Sequence, residues 1–167
     1  MEITIAENRT QRELNQAVKQ WLWRFHDLQL EVRRLEWEYQ ELVQTQESIS
    51  AINYDGMPKA SGSISDLSNM FMARDEALSR LLRAHKRMTT AQLEISEAVA
   101  LLDTAIERNV ISMRYLHYTD DARKMEWVDI SQTLGYSLQH VKTTHGIALR
   151  KLAQIIGRDR LIGKDKT

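Results

Sequence analysis

Cysteine is absent from this 167-residue chain, which excludes a disulfide framework, a thiolate-ligated zinc site and a thiol nucleophile. Proline occurs once, glycine six times and phenylalanine twice, so chain breakers are too scarce for many short strands joined by tight turns. Long apolar runs are missing too. The longest, Ala98–Leu102, is too short for a membrane span or the core of a signal peptide. The chain is therefore expected to be soluble and cytoplasmic, with no membrane partner. What it does have is 43% hydrophobic and 28% charged residues, mostly helix formers, as in proteins built from long helices.

The formal net charge of zero hides a gradient along the chain. Residues 1–60 sum to −3, residues 61–109 to −1 and residues 110–167 to +4. Between Ile130 and Arg158 the charged residues are Lys142, Arg150, Lys151 and Arg158, with no acid among them. A basic stretch behind an acidic body suggests that the C-terminal third meets a polyanion. By itself such a run is more often just the solvated face of a helix.

Periodicity organises the first two thirds. Leu14, Val18, Trp21, Phe25, Leu28, Val32, Leu35, Tyr39 and Leu42 alternate steps of four and three, a heptad seam that predicts one helix from about Thr10 to Ser50. A rod of about forty residues, about 60 Å long, needs a second helix over its seam. Residues 53–65 hold the only proline and two of the glycines, and read as a linker, with Ser63 or Ser65 capping the next helix. From Asp66 to Arg108 the period returns through Leu67, Phe71, Arg74, Leu78, Leu81, His85, Met88, Gln92, Ile95, Val99, Leu102 and Ile106. An antiparallel helical hairpin is the simplest closure. Arg74, His85 and Gln92 interrupt this second seam, and are expected to fix its register or to mark a frayed edge rather than to bind a ligand.

Trp23, Leu30 and Trp37 recur every seven residues opposite the first seam. Large apolar side chains in such a stripe need a cover, supplied by a second copy of the chain, by the C-terminal region or by a partner protein. Self-association, as a dimer, is the preferred expectation.

In the last third the period breaks into shorter pieces. Val110–Tyr118 reads as a short helix, Thr119–Lys124 as a loop, and Met125–Leu134 as a helix stopped at Gly135 by a left-handed turn. Ser137 then caps a final helix through Val141, Ala148, Leu149, Leu152 and Ile155. Two helices joined by a tight Leu-Gly-Tyr-Ser turn, the second basic and free of acid, make a helix-turn-helix pattern. The expected fold class is all-α: a long N-terminal hairpin over 1–109, a helix-turn-helix domain over 110–157 and a polar tail over 158–167.

Residues 110–153 resemble the promoter-binding helix-turn-helix at the C-terminal end of bacterial sigma factors. The resemblance is carried by Arg114-Tyr-Leu116, Trp127-Val-Asp-Ile-Ser131, Leu134-Gly-Tyr-Ser137, Val141-Lys142 and Ala148-Leu-Arg-Lys-Leu152. With the helical N-terminal part and the segment Gly56–Gly62, the whole chain resembles small phage and prophage regulators of the ArpU/RinA type. That resemblance implies an activator of late genes, with double-stranded DNA and host RNA polymerase as partners. It also implies that Leu138, Gln139 and Thr143, just beyond the Ser137 cap, stand where side chains read bases, with His140 and Lys142 near phosphates. Gln139, Thr143, Gly146 and Arg150 share the helix face opposite Val141, Ala148, Leu149 and Leu152. Glutamine can read adenine through two hydrogen bonds and threonine can touch a thymine methyl, while Lys142, Arg150 and Lys151 would add sequence-blind, salt-sensitive attraction. Gly146 either lets a backbone approach closely or has no role. Leu138 and Thr144 depart from the sigma pattern, so no target sequence carries over.

Other readings fit less well. The five histidines are scattered, and His140 and His145 are not spaced to share a metal, so no metal or cofactor is expected. There is no glycine-rich phosphate loop and no Gly-x-Ser-x-Gly, which argues against an enzyme. A full sigma factor is disfavoured because the N-terminal aromatics occupy heptad positions of an acidic segment. Two alternatives to the regulator stay open: a phage assembly component such as a terminase small subunit, and an adaptor that binds polymerase without DNA.

Overall fold

A computed structural model describes the backbone of residues 2–52, 63–117 and 123–157, and the side chains of residues 11–48, 68–117 and 123–157. Residues 53–62 of the expected linker 53–65, most of the expected loop after Tyr118 and the tail 158–167 lie outside the described residues. Residues 63–65 are already helical, so Ser65 does not cap the second helix. Regular structure in the described residues is helical throughout: α1 (Glu2–Ile52), α2 (Ser63–Ala100), α3 (Ala105–Tyr115), α4 (Trp127–Leu134) and α5 (Leu138–Ile156). The chain is all-α. The long first helix follows from its uninterrupted heptad and from the absence of Gly and Pro over its length. No helix among the described residues is long and apolar enough to cross a membrane.

Two compact bodies form, one from residues 1–26 with 90–167 and the other from 27–89. This division differs from the expected split after residue 109. The ends of α1 and α2 join the C-terminal helices because that body buries Leu14, Val18, Leu22, Ile95 and Val99 together with the α3–α5 core.

In the second body α1 and α2 pair antiparallel. Glu31 meets Arg87 at 2.8 Å, His85 meets Glu36 at 3.1 Å, Arg80 meets Glu38 at 2.8 Å, and Arg74 donates to Gln46 at 3.0 Å. Its core is Val32, Leu35, Leu81 and Ala84, flanked by Tyr39 and Met88. The first seam buries Leu14, Val18, Phe25, Val32 and Leu35 as expected, but takes Leu22, fully buried, where Trp21 is expected. The second seam differs further. On α2 the buried heptad positions are Ala77, Ala84, Ala91 and Ala98, alternating with Leu81, Met88 and Ile95. Arg74 opens the Leu81–Met88–Ile95 register and His85 stands beside it; both reach across to α1, while Gln92 is exposed. The small alanines make the seam, so His85 and Gln92 do not interrupt it, and only Arg74 stands on it.

Helix α2 also ends earlier than its periodicity predicts. Leu101 and Leu102 close onto Ala98 and Val99 with short-range backbone bonds of 3.3 and 3.1 Å. Thr104 then starts α3: its hydroxyl accepts from the Glu107 N–H at 3.3 Å, and the Glu107 carboxylate accepts from the Thr104 N–H at 3.2 Å. Reciprocal capping of this kind satisfies two orphan donors at once. Arg108 donates to the carbonyls of Leu102 at 2.6 Å and Asp103 at 3.3 Å, so the joint is closed on its acceptor side as well.

Candidate nucleic-acid interface

The helix-turn-helix is built from ordinary local rules. Helix α4 stops because Gly135 adopts φ 70°, ψ 26°, a left-handed conformation that favours glycine. The Tyr136 N–H donates to the Ser131 carbonyl at 3.1 Å, closing the turn. One residue later Ser137 caps α5, its hydroxyl accepting from the His140 N–H at 3.2 Å. Val110, Ile130 and Val141 pack α3, α4 and α5 together, with Ile106, Met113, Met125, Trp127 and Leu134 around them.

This core fixes which side of α5 faces outward. Val141, Thr144, His145, Ala148, Leu149, Leu152 and Ala153 are buried. Ser137, Leu138, Gln139, His140, Lys142, Thr143 and Arg150 are exposed, and they span the capping turn and the outer stripe. The first turn of α5 carries no acid, so the positive end of its dipole is uncompensated by a carboxylate there. Gly146 has open space where a Cβ would be.

Lys151 is a correction. Its ammonium lies 2.5 Å from Asp103 and 2.7 Å from Glu107, so two acids at the α2–α3 joint hold its charge. Position 151 turns away from the Gln139–Arg150 stripe by one residue of helix, which is enough to aim it at that joint. Burial alone would push the Glu107 carboxyl up. The Lys151 ammonium and the Thr104 bonds outweigh it and hold that carboxyl below its usual range. The same bonds to Asp103 and Glu107 raise Lys151.

The interior of this body is polar and aromatic as well as aliphatic. His145 stacks on Tyr115, with its Nε2 in a hydrogen bond of 2.9 Å to the Tyr115 hydroxyl, and Trp127 meets its ring edge-on at 4.8 Å. Burial, with smaller contributions from Lys19 and Arg114, pushes His145 down to about 4, and burial pushes Tyr115 up to about 12. Both are therefore neutral near pH 7. The Arg114 guanidinium sits 4.5 Å from the centre of the Trp127 ring, donates to the Met125 carbonyl and lies 3.8 Å from Glu126. Arg114 thus braces the segment that enters α4. Neither the burial of His145 nor the bracing by Arg114 is legible in the sequence, because packing on an aromatic cluster leaves no local signature.

The Trp23–Leu30–Trp37 stripe needs correction as well. Trp23 belongs to the first body, where its ring packs edge-on to Tyr115 at 4.9 Å, with the Lys124 ammonium 5.0 Å from its centre. The chain's own C-terminal region covers it. Leu30 and Trp37 belong to the second body and remain 49% and 67% exposed. Among the described residues no cluster of three or more His, Cys, Asp or Glu could hold a metal ion. Tyr136, which no sequence pattern singles out as a binding residue, is 49% exposed in the turn and stacks on His140. No protein-family model, curated protein or solved structure matches this chain, so what the outer face of α5 binds must be judged from its residues and geometry.

Proposed function

We propose that this chain is a sequence-specific, double-stranded-DNA-binding transcriptional regulator of phage or prophage origin, an activator of late genes that works with host RNA polymerase in the cytoplasm. It acts without catalysis or a cofactor. The observation that carries the reading is the entering end of α5. Ser137, Leu138, Gln139, His140, Lys142 and Thr143 are all exposed there beyond a rigid turn, with no acid among them. Polar side chains fixed on the first turn of a second helix are what major-groove readout requires. Arg150 extends the same stripe, while Lys151 serves the fold. Exposed Leu30 and Trp37 support a homodimer through the second body.

Selection from a randomised duplex pool tests the reading, with Lys142→Glu as control. The expected outcome is an enriched motif that the variant no longer binds, with helicity and oligomeric state unchanged, because a reversed phosphate-facing charge repels the backbone. Two half-sites about 10 base pairs apart would indicate a symmetric dimer. Duplex binding without enrichment would favour a DNA-packaging component, and no duplex binding would favour a polymerase adaptor. If Lys142→Glu binds as tightly as the wild type, α5 is not the recognition helix.

A further inference from the structure

The turn between α4 and α5 holds an aromatic ring in a place where burial gains little. Tyr136 follows the left-handed Gly135 and precedes the capping Ser137, and its N–H is bonded to the Ser131 carbonyl at 3.1 Å. Its backbone is therefore pinned on both sides. Its ring, half in solvent, lies 5.0 Å from the His140 ring with 30° between the planes, a stacked pair. His140 is itself exposed on the first turn of α5, between Gln139 and Lys142. A lone imidazole at such a position samples several rotamers, and ordering it on a bound surface costs entropy. A ring fixed against one face removes that search in advance.

We propose that Tyr136 is a positioning residue for duplex DNA, holding the His140 imidazole in the orientation it uses on the nucleic acid. This rests on the assignment of the first turn of α5 to a DNA-facing surface. The role belongs to the ring, not to the hydroxyl.

Anisotropy titrations on a labelled duplex carrying the selected sequence compare wild type, Tyr136→Ala, Tyr136→Phe, His140→Ala and the Tyr136→Ala/His140→Ala double variant. Tyr136→Ala is expected to weaken binding about three- to tenfold, the size of an aromatic pair. Tyr136→Phe keeps the ring and should bind within about twofold of wild type. In the His140→Ala background the loss of Tyr136 should add nothing, because the group it acts on is gone. Without DNA, the His140 ring protons should shift in the NMR spectrum of Tyr136→Ala, with the unfolding temperature unchanged. Full affinity in Tyr136→Ala, equal weakness in Tyr136→Phe, full additivity with His140→Ala, or unmoved imidazole protons would each overturn the role. A wild-type protein that binds no duplex at all removes the DNA assignment and this role together. A motif lost in Lys142→Glu but bound at full affinity by Tyr136→Ala removes this role alone.

Discussion

The two bodies of this protein are held together by different means. The second body is two helices with a small buried core around Val32, Leu35, Leu81 and Ala84 and ion pairs along its edges. Such exposed pairs contribute little, typically about 0–1 kcal/mol each. The first body encloses its core with five helical segments and buries a histidine, a tyrosine and an arginine among aromatic rings. Periodicity alone can specify the former. The latter needs particular side chains to meet from distant parts of the chain, and its stability should respond to pH in a way that the other body's core does not.

The largest expected difference comes from core truncation. Leu152, fully buried in the first body, should cost about 2–5 kcal/mol as Leu152→Ala. Hydrogen exchange read segment by segment should register the loss in α3–α5 while protection over 27–48 and 68–89 is retained. Equal loss in both would mean that the two bodies unfold as one unit. Acidification comes next. His145 is held well below its ordinary value, so the stability it confers is complete above pH 6.5 and is lost as the pH falls through about 4. The loss should be roughly 3 kcal/mol, confined to the first body and read by urea titration across that window. Tyr115 works at the other extreme, with stability complete below pH 10 and falling toward about 12. A stability curve flat from pH 7 to 4 would contradict the buried neutral histidine.

Two glycines of the helix-turn-helix should respond with opposite signs. Gly135→Ala places a side chain at φ 70° and should destabilise by about 1 kcal/mol. Gly146→Ala meets open space inside a helix and should stabilise by about 1 kcal/mol, seen as a higher unfolding temperature. If Gly146→Ala also left DNA binding unchanged, no close backbone approach would be needed there. The smallest effect belongs to the second body's edge: Arg87→Ala should cost less than about 1 kcal/mol and less still at high salt.

Much of this is legible in the sequence, and the misses have physical causes. The Gly135 stop, the Ser137 cap and, apart from the exchange of Trp21 for Leu22, the first seam obey local rules, so they read correctly. The alanine seam escapes a search for large apolar residues because alanine carries a weak hydrophobic signal, although Ala77, Ala84, Ala91 and Ala98 are spaced as regularly as any leucine heptad. The end of α2 is also readable, since Thr104 and Glu107 have the spacing of a capping box. Periodicity continues past them and hides the break. Of the candidate interface, the exposed face of α5 follows from helical geometry, whereas the capture of Lys151 by Asp103 and Glu107 does not.

The sequence by itself determined that the chain is helical, where its long first helix lies, and which turn separates α4 from α5. These depend on spacing, caps and backbone preferences within a few residues. Only the tertiary structure decided that Trp23 covers Tyr115, that His145 is buried neutral, and that Lys151 braces a joint instead of facing outward. Each depends on contacts between residues tens of positions apart, and the burial that sets their charge and exposure exists only once those segments have met.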